Sequence, residues 1–82
     1  MEYEEIYAKL QEIVANSEIF DESLLPVDVE KKLSEYGLNS INLIRLAVMV
    51  EEEFDIEIDD EYLIDLDEIT LKLFADIVKG QE

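Results

Sequence analysis

The side chains available for chemistry are hydroxyls, carboxylates, four tyrosines and six basic groups, because this 82-residue chain has no His and no Cys. It therefore has no ordinary zinc site, no thiol nucleophile and no Ser-His-Asp triad. A small enzyme built from this set would have to work with carboxylates alone. Ser17, Ser23 and Ser34 stand in loop or polar contexts with no neighbouring feature. Ser40 differs, because it follows Gly37-Leu38-Asn39 and opens the strongest helical period in the chain. A helix N-terminus offers free N–H groups and the positive end of the dipole, so a phosphoester on Ser40 would be supported there. The same position is explained more simply by N-capping alone.

The elements that must position Ser40 can be read from apolar spacing. Tyr3, Ile6, Tyr7, Leu10, Ile13 and Val14 form one helical stripe, which Asn16-Ser17 stops. Residues 17–39 make a long first loop containing Leu24-Leu25-Pro26 and a short helical turn through Val29–Leu33. Asn39-Ser40 reads as the start of a central helix, with Leu43, Leu46, Ala47, Val50 and Phe54 facing inward. Ile56-Glu57-Ile58 alternates, but three residues with no partner make no sheet, so they are expected to be a link whose isoleucines close the core. Asp59–Leu66 is expected to hold a short third helix. Thr70 should cap a last helix through Leu71, Phe74, Ala75, Ile77 and Val78, ended by Lys79 and Gly80. The expected fold is all-α: a single domain over 1–82, a small bundle of three main helices plus one short helix.

Charge narrows the function classes. Twenty-three acids against six bases give −17, which excludes nucleic acid and anionic membranes as partners. With 49% apolar residues the chain is too hydrophobic for a disordered acidic tail. No apolar run reaches membrane-spanning length, and the start Met1-Glu2-Tyr3-Glu4-Glu5 lacks a basic or apolar leader, so a cytoplasmic monomer is expected. The run from Asp55 suggests a calcium loop but has Asp60 where Gly is needed and Leu66 where Glu is needed. No metal site is expected.

The string Gly37-Leu38-Asn39-Ser40-Ile41, the periodic helix after it, Val50-Glu51-Glu52-Glu53-Phe54 and Ile58 together resemble the acyl carrier and peptidyl carrier protein family, whose pattern is Gly-x-Asp-Ser-Leu, an apolar helix, Leu-Glu-Glu-x-Phe and a following Ile. The order of elements resembles that family over nearly the whole chain. The resemblance implies an acyl-carrier-like bundle that is not an enzyme. It implies 4′-phosphopantetheine, taken from coenzyme A, on Ser40, with Asn39 beside it. A phosphopantetheinyl transferase would add this arm. A loading enzyme, an adenylation enzyme or acyltransferase, would then charge it for downstream acyl-transferring enzymes. The cargo would be acyl, aminoacyl or peptidyl, held as a thioester.

Two departures stand out. Asn39 replaces the family's Asp, and Arg45 stands where an acid is common. Asn39 looks more like stand-alone carriers of specialised biosynthesis, making nonribosomal peptides or polyketides, than like fatty-acid carriers, which are the alternative. The outward side of the central helix, with Ile41, Ile44, Arg45, Val48, Met49, Glu51 and Glu52, would be the partner-docking face. A competing reading is an acidic helical adaptor that meets a basic partner and carries no prosthetic group.

Overall fold

The computed structural model describes residues 1–82. Helix α1 (Tyr3–Asn16) buries Ile6, Leu10 and Val14. It ends where the Ser17 hydroxyl donates to the Val14 carbonyl at 2.7 Å and accepts from the Ile19 N–H at 3.2 Å. Ser17 is thus a buried helix stop. Helix α2 (Ser40–Phe54) buries Leu43, Leu46, Ala47 and Val50, while Phe54 is half-buried. Helix α3 (Leu71–Gly80) buries Leu71, Phe74, Ala75, Ile77 and Val78, as its periodicity predicts. Helix α1 packs against both α3 and α2.

The 17–39 connection folds back onto the bundle. The radius of gyration is 11.5 Å, close to the about 11.7 Å expected for a compact chain of this length, so the connection wraps and does not project. It contains 3-10 turns at Glu22–Leu24 and Leu33–Tyr36. The expected turn through Val29–Leu33 is therefore displaced. A tight turn does begin at Asp28, whose carboxylate accepts from the Glu30 N–H at 2.9 Å. Lys32 then extends the chain, because the Leu33 N–H is taken by the Ile69 carbonyl at 2.8 Å.

Three further ties pin this connection. The Gln11 side chain clamps Val27 at both backbone groups, donating to its carbonyl at 2.7 Å and accepting from its N–H at 3.1 Å. The Tyr36 hydroxyl accepts from the Asp28 N–H at 3.0 Å, and the Tyr36 ring packs edge-on against Phe20. The Lys72 N–H, a free donor in the first turn of α3, reaches the Val29 carbonyl at 2.9 Å.

The expected short helix over Asp59–Leu66 is instead two 3-10 turns, Asp60–Leu63 and Leu66–Glu68. Asp59 caps the first turn, its carboxylate accepting from the Glu61 N–H. Acids late in a helix would oppose its dipole. Ile56–Ile58 is a link outside any helix or strand, with Ile58 buried and Ile56 packed against the core, as expected. Glu51 holds that link, its Oε2 accepting from the Ile58 N–H at 2.8 Å. Thr70 caps α3 by accepting from the Leu73 N–H at 3.1 Å. Gly80 is the last helical residue and lies within α3, so it is no left-handed stop.

Seventeen buried apolar residues form one core. Only three ion pairs set it against the 23 acids. The folded state concentrates a net −17 within extents of 31 × 26 × 20 Å. Self-repulsion of that kind is screened by salt. Thermal unfolding followed by circular dichroism should show Tm rising from low to moderate NaCl, and rising further with magnesium. A flat or falling Tm would contradict this account.

The same structure predicts the cost of losing the α2 cap. The Asn39 Oδ1 accepts from the Asn42 N–H at 2.8 Å. Asn39→Ala should destabilise the protein by about 1 kcal/mol, which lowers Tm by about 4–8 °C at this size. Asn39→Asp should keep most of that stability, since its carboxylate accepts the same bond at the positive end of the helix.

Candidate functional site

The approach to Ser40 is set residue by residue. Gly37 closes the Leu33–Tyr36 turn in the left-handed region, at φ 85°, and its N–H donates to the Ser34 carbonyl at 3.0 Å. That backbone conformation is what makes glycine the suitable residue, since a Cβ there would meet nothing within 4 Å. Leu38 then packs half-buried against the core. Asn39 is extended, and its carbonyl accepts the first helical bond from the Leu43 N–H at 3.1 Å.

Asn39, not Ser40, is the N-cap. Ser40 is the first helical residue, and it is exposed. Its hydroxyl holds no hydrogen bond within the protein, so the capping explanation for this serine lapses. The other hydroxyls are placed differently. Ser17 is buried and doubly bonded, Ser34 donates to the Asp67 carbonyl at 3.3 Å, and Thr70 caps α3. Ser23 is exposed, but it sits between Glu22 and Leu24 and two residues from Asp21. The Ser23 N–H donates to the Asp21 carboxylate at 3.0 Å and holds that carboxyl below the usual range, so this serine sits against an acid.

The surroundings of Ser40 carry the opposite character. Residues 36–50 contain no acid and one base, Arg45, whereas residues 51–70 contain eleven acids and no base. An added phosphodiester would therefore meet a helix N-terminus and no carboxylate within that stretch.

The outward face of α2 begins directly after Ser40. Ile41 is 67% exposed, and Ile44 and Val48 are each 44% exposed. Arg45 and Glu52 are exposed with them. Two of the residues expected on this face are half-buried, Glu51 turned away from it and Met49 at its edge. Glu51 is half-buried and turned to the Ile58 N–H. Met49 is half-buried and lines an open groove of about 430 Å³ with Ile13 and Asn16 of α1, walled by Glu12, Glu52 and Glu53. At about 1.5 Å rise per residue that groove starts roughly 13 Å along the axis from Ser40, so it is separate from the serine.

Sequence reasoning missed Gln11 and Tyr36, which hold the connection leading to Gly37. A polar residue beside α1's apolar stripe was the only signal for Gln11, and its partner is the backbone of a distant loop.

No helix is long and apolar enough to cross a membrane. No curated protein and no solved structure matches the chain. The family model for the phosphopantetheine attachment site matches residues 8–77, a span that runs from α1 through all of α2 into α3. The chain therefore belongs to the phosphopantetheine attachment family, the non-catalytic carriers that bear covalent 4′-phosphopantetheine.

Proposed function

We propose that Ser40 is the residue that takes the arm, and that residues 1–82 act as one stand-alone carrier in specialised biosynthesis of the nonribosomal peptide or polyketide kind. One observation carries the reading: the exposed, unpartnered Ser40 hydroxyl at the first helical position of α2, inside the matched span. When bound, the arm supplies a thiol that carries acyl, aminoacyl or peptidyl groups as thioesters, which a chain without Cys lacks.

The chain's own residues do the rest. Asn39 fixes the start of α2 and leaves the Ser40 hydroxyl free. The helix N-terminus favours the phosphodiester charge, and the acid-free stretch from residue 36 to residue 50 adds no repulsion. Ile41, Ile44, Arg45 and Val48, with Glu52 at the far end and Met49 at the edge, form the face on which a transferase and a loading enzyme dock. Glu51 is set aside from that face because its carboxylate serves the Ile58 link. The preference for specialised biosynthesis over fatty-acid synthesis is supported by Asn39 and Arg45, the two departures nearest the serine.

Incubating the purified protein with coenzyme A and a broad-specificity phosphopantetheinyl transferase should add the mass of one arm. Ser40→Ala should gain nothing, while Ser23→Ala should gain as the native protein does. Modification that survives Ser40→Ala would remove Ser40 from the role. Charging of the modified protein by an adenylation enzyme would support the specialised pathway, and charging only within a fatty-acid synthase system would reject it.

A further inference from the structure

Four of the six bases are engaged by other side chains of the molecule. Lys9 lies 5.9 Å from the centroid of the Phe54 ring, and Lys31 lies 4.5 Å from that of Tyr36. Lys32 pairs with Glu68 at 3.2 Å, and Lys79 pairs with Glu82 at 3.4 Å. Arg45 and Lys72 hold no ion pair. Lys72 is exposed on α3. Arg45 is the free cation that stands among exposed apolar side chains, with Ile41 one turn before it, Ile44 beside it and Val48 on the next turn.

A partner that covers those apolar side chains also strips water from the guanidinium. A charge buried without a counter-charge is strongly unfavourable, whereas a planar guanidinium facing a carboxylate makes two parallel bonds. The nearest acids along α2 are Glu51–Glu53, and Glu51 is already committed to Ile58. A second copy of this chain is the wrong occupant, because two surfaces of net −17 repel.

We propose that the first half of α2 docks an enzyme surface that is apolar and carries a carboxylate opposite Arg45, with basic groups reserved for the acidic rim from Glu52 onward. Arg45 then determines which enzymes are accepted. A uniformly basic docking surface is rejected at Arg45, and a uniformly apolar one leaves the guanidinium unpaired. The reversal of sign along one helix also fixes the orientation in which the partner sits. This inference rests on Ser40 being the modified residue, since an enzyme acting there must cover Arg45, five residues along the same helix.

The test is steady-state kinetics with a purified phosphopantetheinyl transferase and coenzyme A, on Arg45→Glu, Arg45→Ala, Arg45→Lys and Lys72→Glu. Lys72→Glu makes the same change in net charge on another helix. Circular dichroism checks that each variant folds. Arg45→Glu should raise KM for the carrier about ten-fold or more, with the effect in KM more than in kcat, and Arg45→Lys should recover most of the loss. Lys72→Glu should stay near the native value. An unchanged or lowered KM for Arg45→Glu, or an equal rise for Lys72→Glu, overturns the proposal. Native protein modified at Ser40 with Arg45 indifferent defeats this inference alone, whereas native protein that is never modified at Ser40 defeats the reading beneath it.

Discussion

The place of Ser40 in space depends on where the 17–39 connection is pinned to the bundle. A helix start is only as well placed as the chain that enters it. Here that chain is a 23-residue connection, a length at which an unsecured loop would leave the entry angle of α2 undefined. The Leu33 N–H on the Ile69 carbonyl and the Lys72 N–H on the Val29 carbonyl tie the connection to the front of α3, and Gln11 ties it to α1. Leu33 and Ile69 are both fully buried, so the backbone bond between them is shielded from competing water. Gly37 then turns the chain and Asn39 starts the helix six residues after Leu33.

Charge has a different structural meaning in each half of α2. The first half has no acid and presents a free hydroxyl, apolar side chains and Arg45. The second half carries Glu51, Glu52 and Glu53, and leads into a link and two 3-10 turns rich in acids. The long-range field of the whole chain can therefore draw a basic partner. The contact at the serine is decided by groups within a Debye length, where the acid-free stretch matters more than the total. A bare acidic adaptor needs no such interruption, and family membership displaces that reading.

The three helices were legible in the sequence because each buries one stripe of closely spaced apolar residues. Leu43, Leu46, Ala47 and Val50 face the core as their spacing demands, and Thr70 caps α3 through the predicted side chain. The connections were less legible because their conformation answers to distant partners. The Val29–Leu33 segment looks helical locally, yet the chain is extended at Lys32, and the Leu33 N–H goes to the carbonyl of Ile69, which lies far along the chain. Asp59–Leu66 starts like a helix, with Asp59 as a cap, but it runs only as a 3-10 turn over Asp60–Leu63 before the chain turns again at Leu66–Glu68. At the site, Ser40 was singled out by type and context. The division of labour between Asn39 as cap and Ser40 as free hydroxyl needed the dihedral angles, because either residue can cap.

The missing residues and the free serine fit one physical requirement. A protein that holds an activated acyl group must not attack it. Cys would intercept such a group directly, and His would activate water or a hydroxyl toward it. This chain has neither. Its amines are largely withdrawn as well, with Lys9 and Lys31 over aromatic rings and Lys32 and Lys79 in ion pairs. The one cation left on the outward face of α2 is an arginine, which stays protonated and is therefore a poor nucleophile. A lysine in its place would keep the charge for docking but would bring an amine to within two turns of the attachment site. The choice of arginine at position 45 thus serves recognition without adding reactivity.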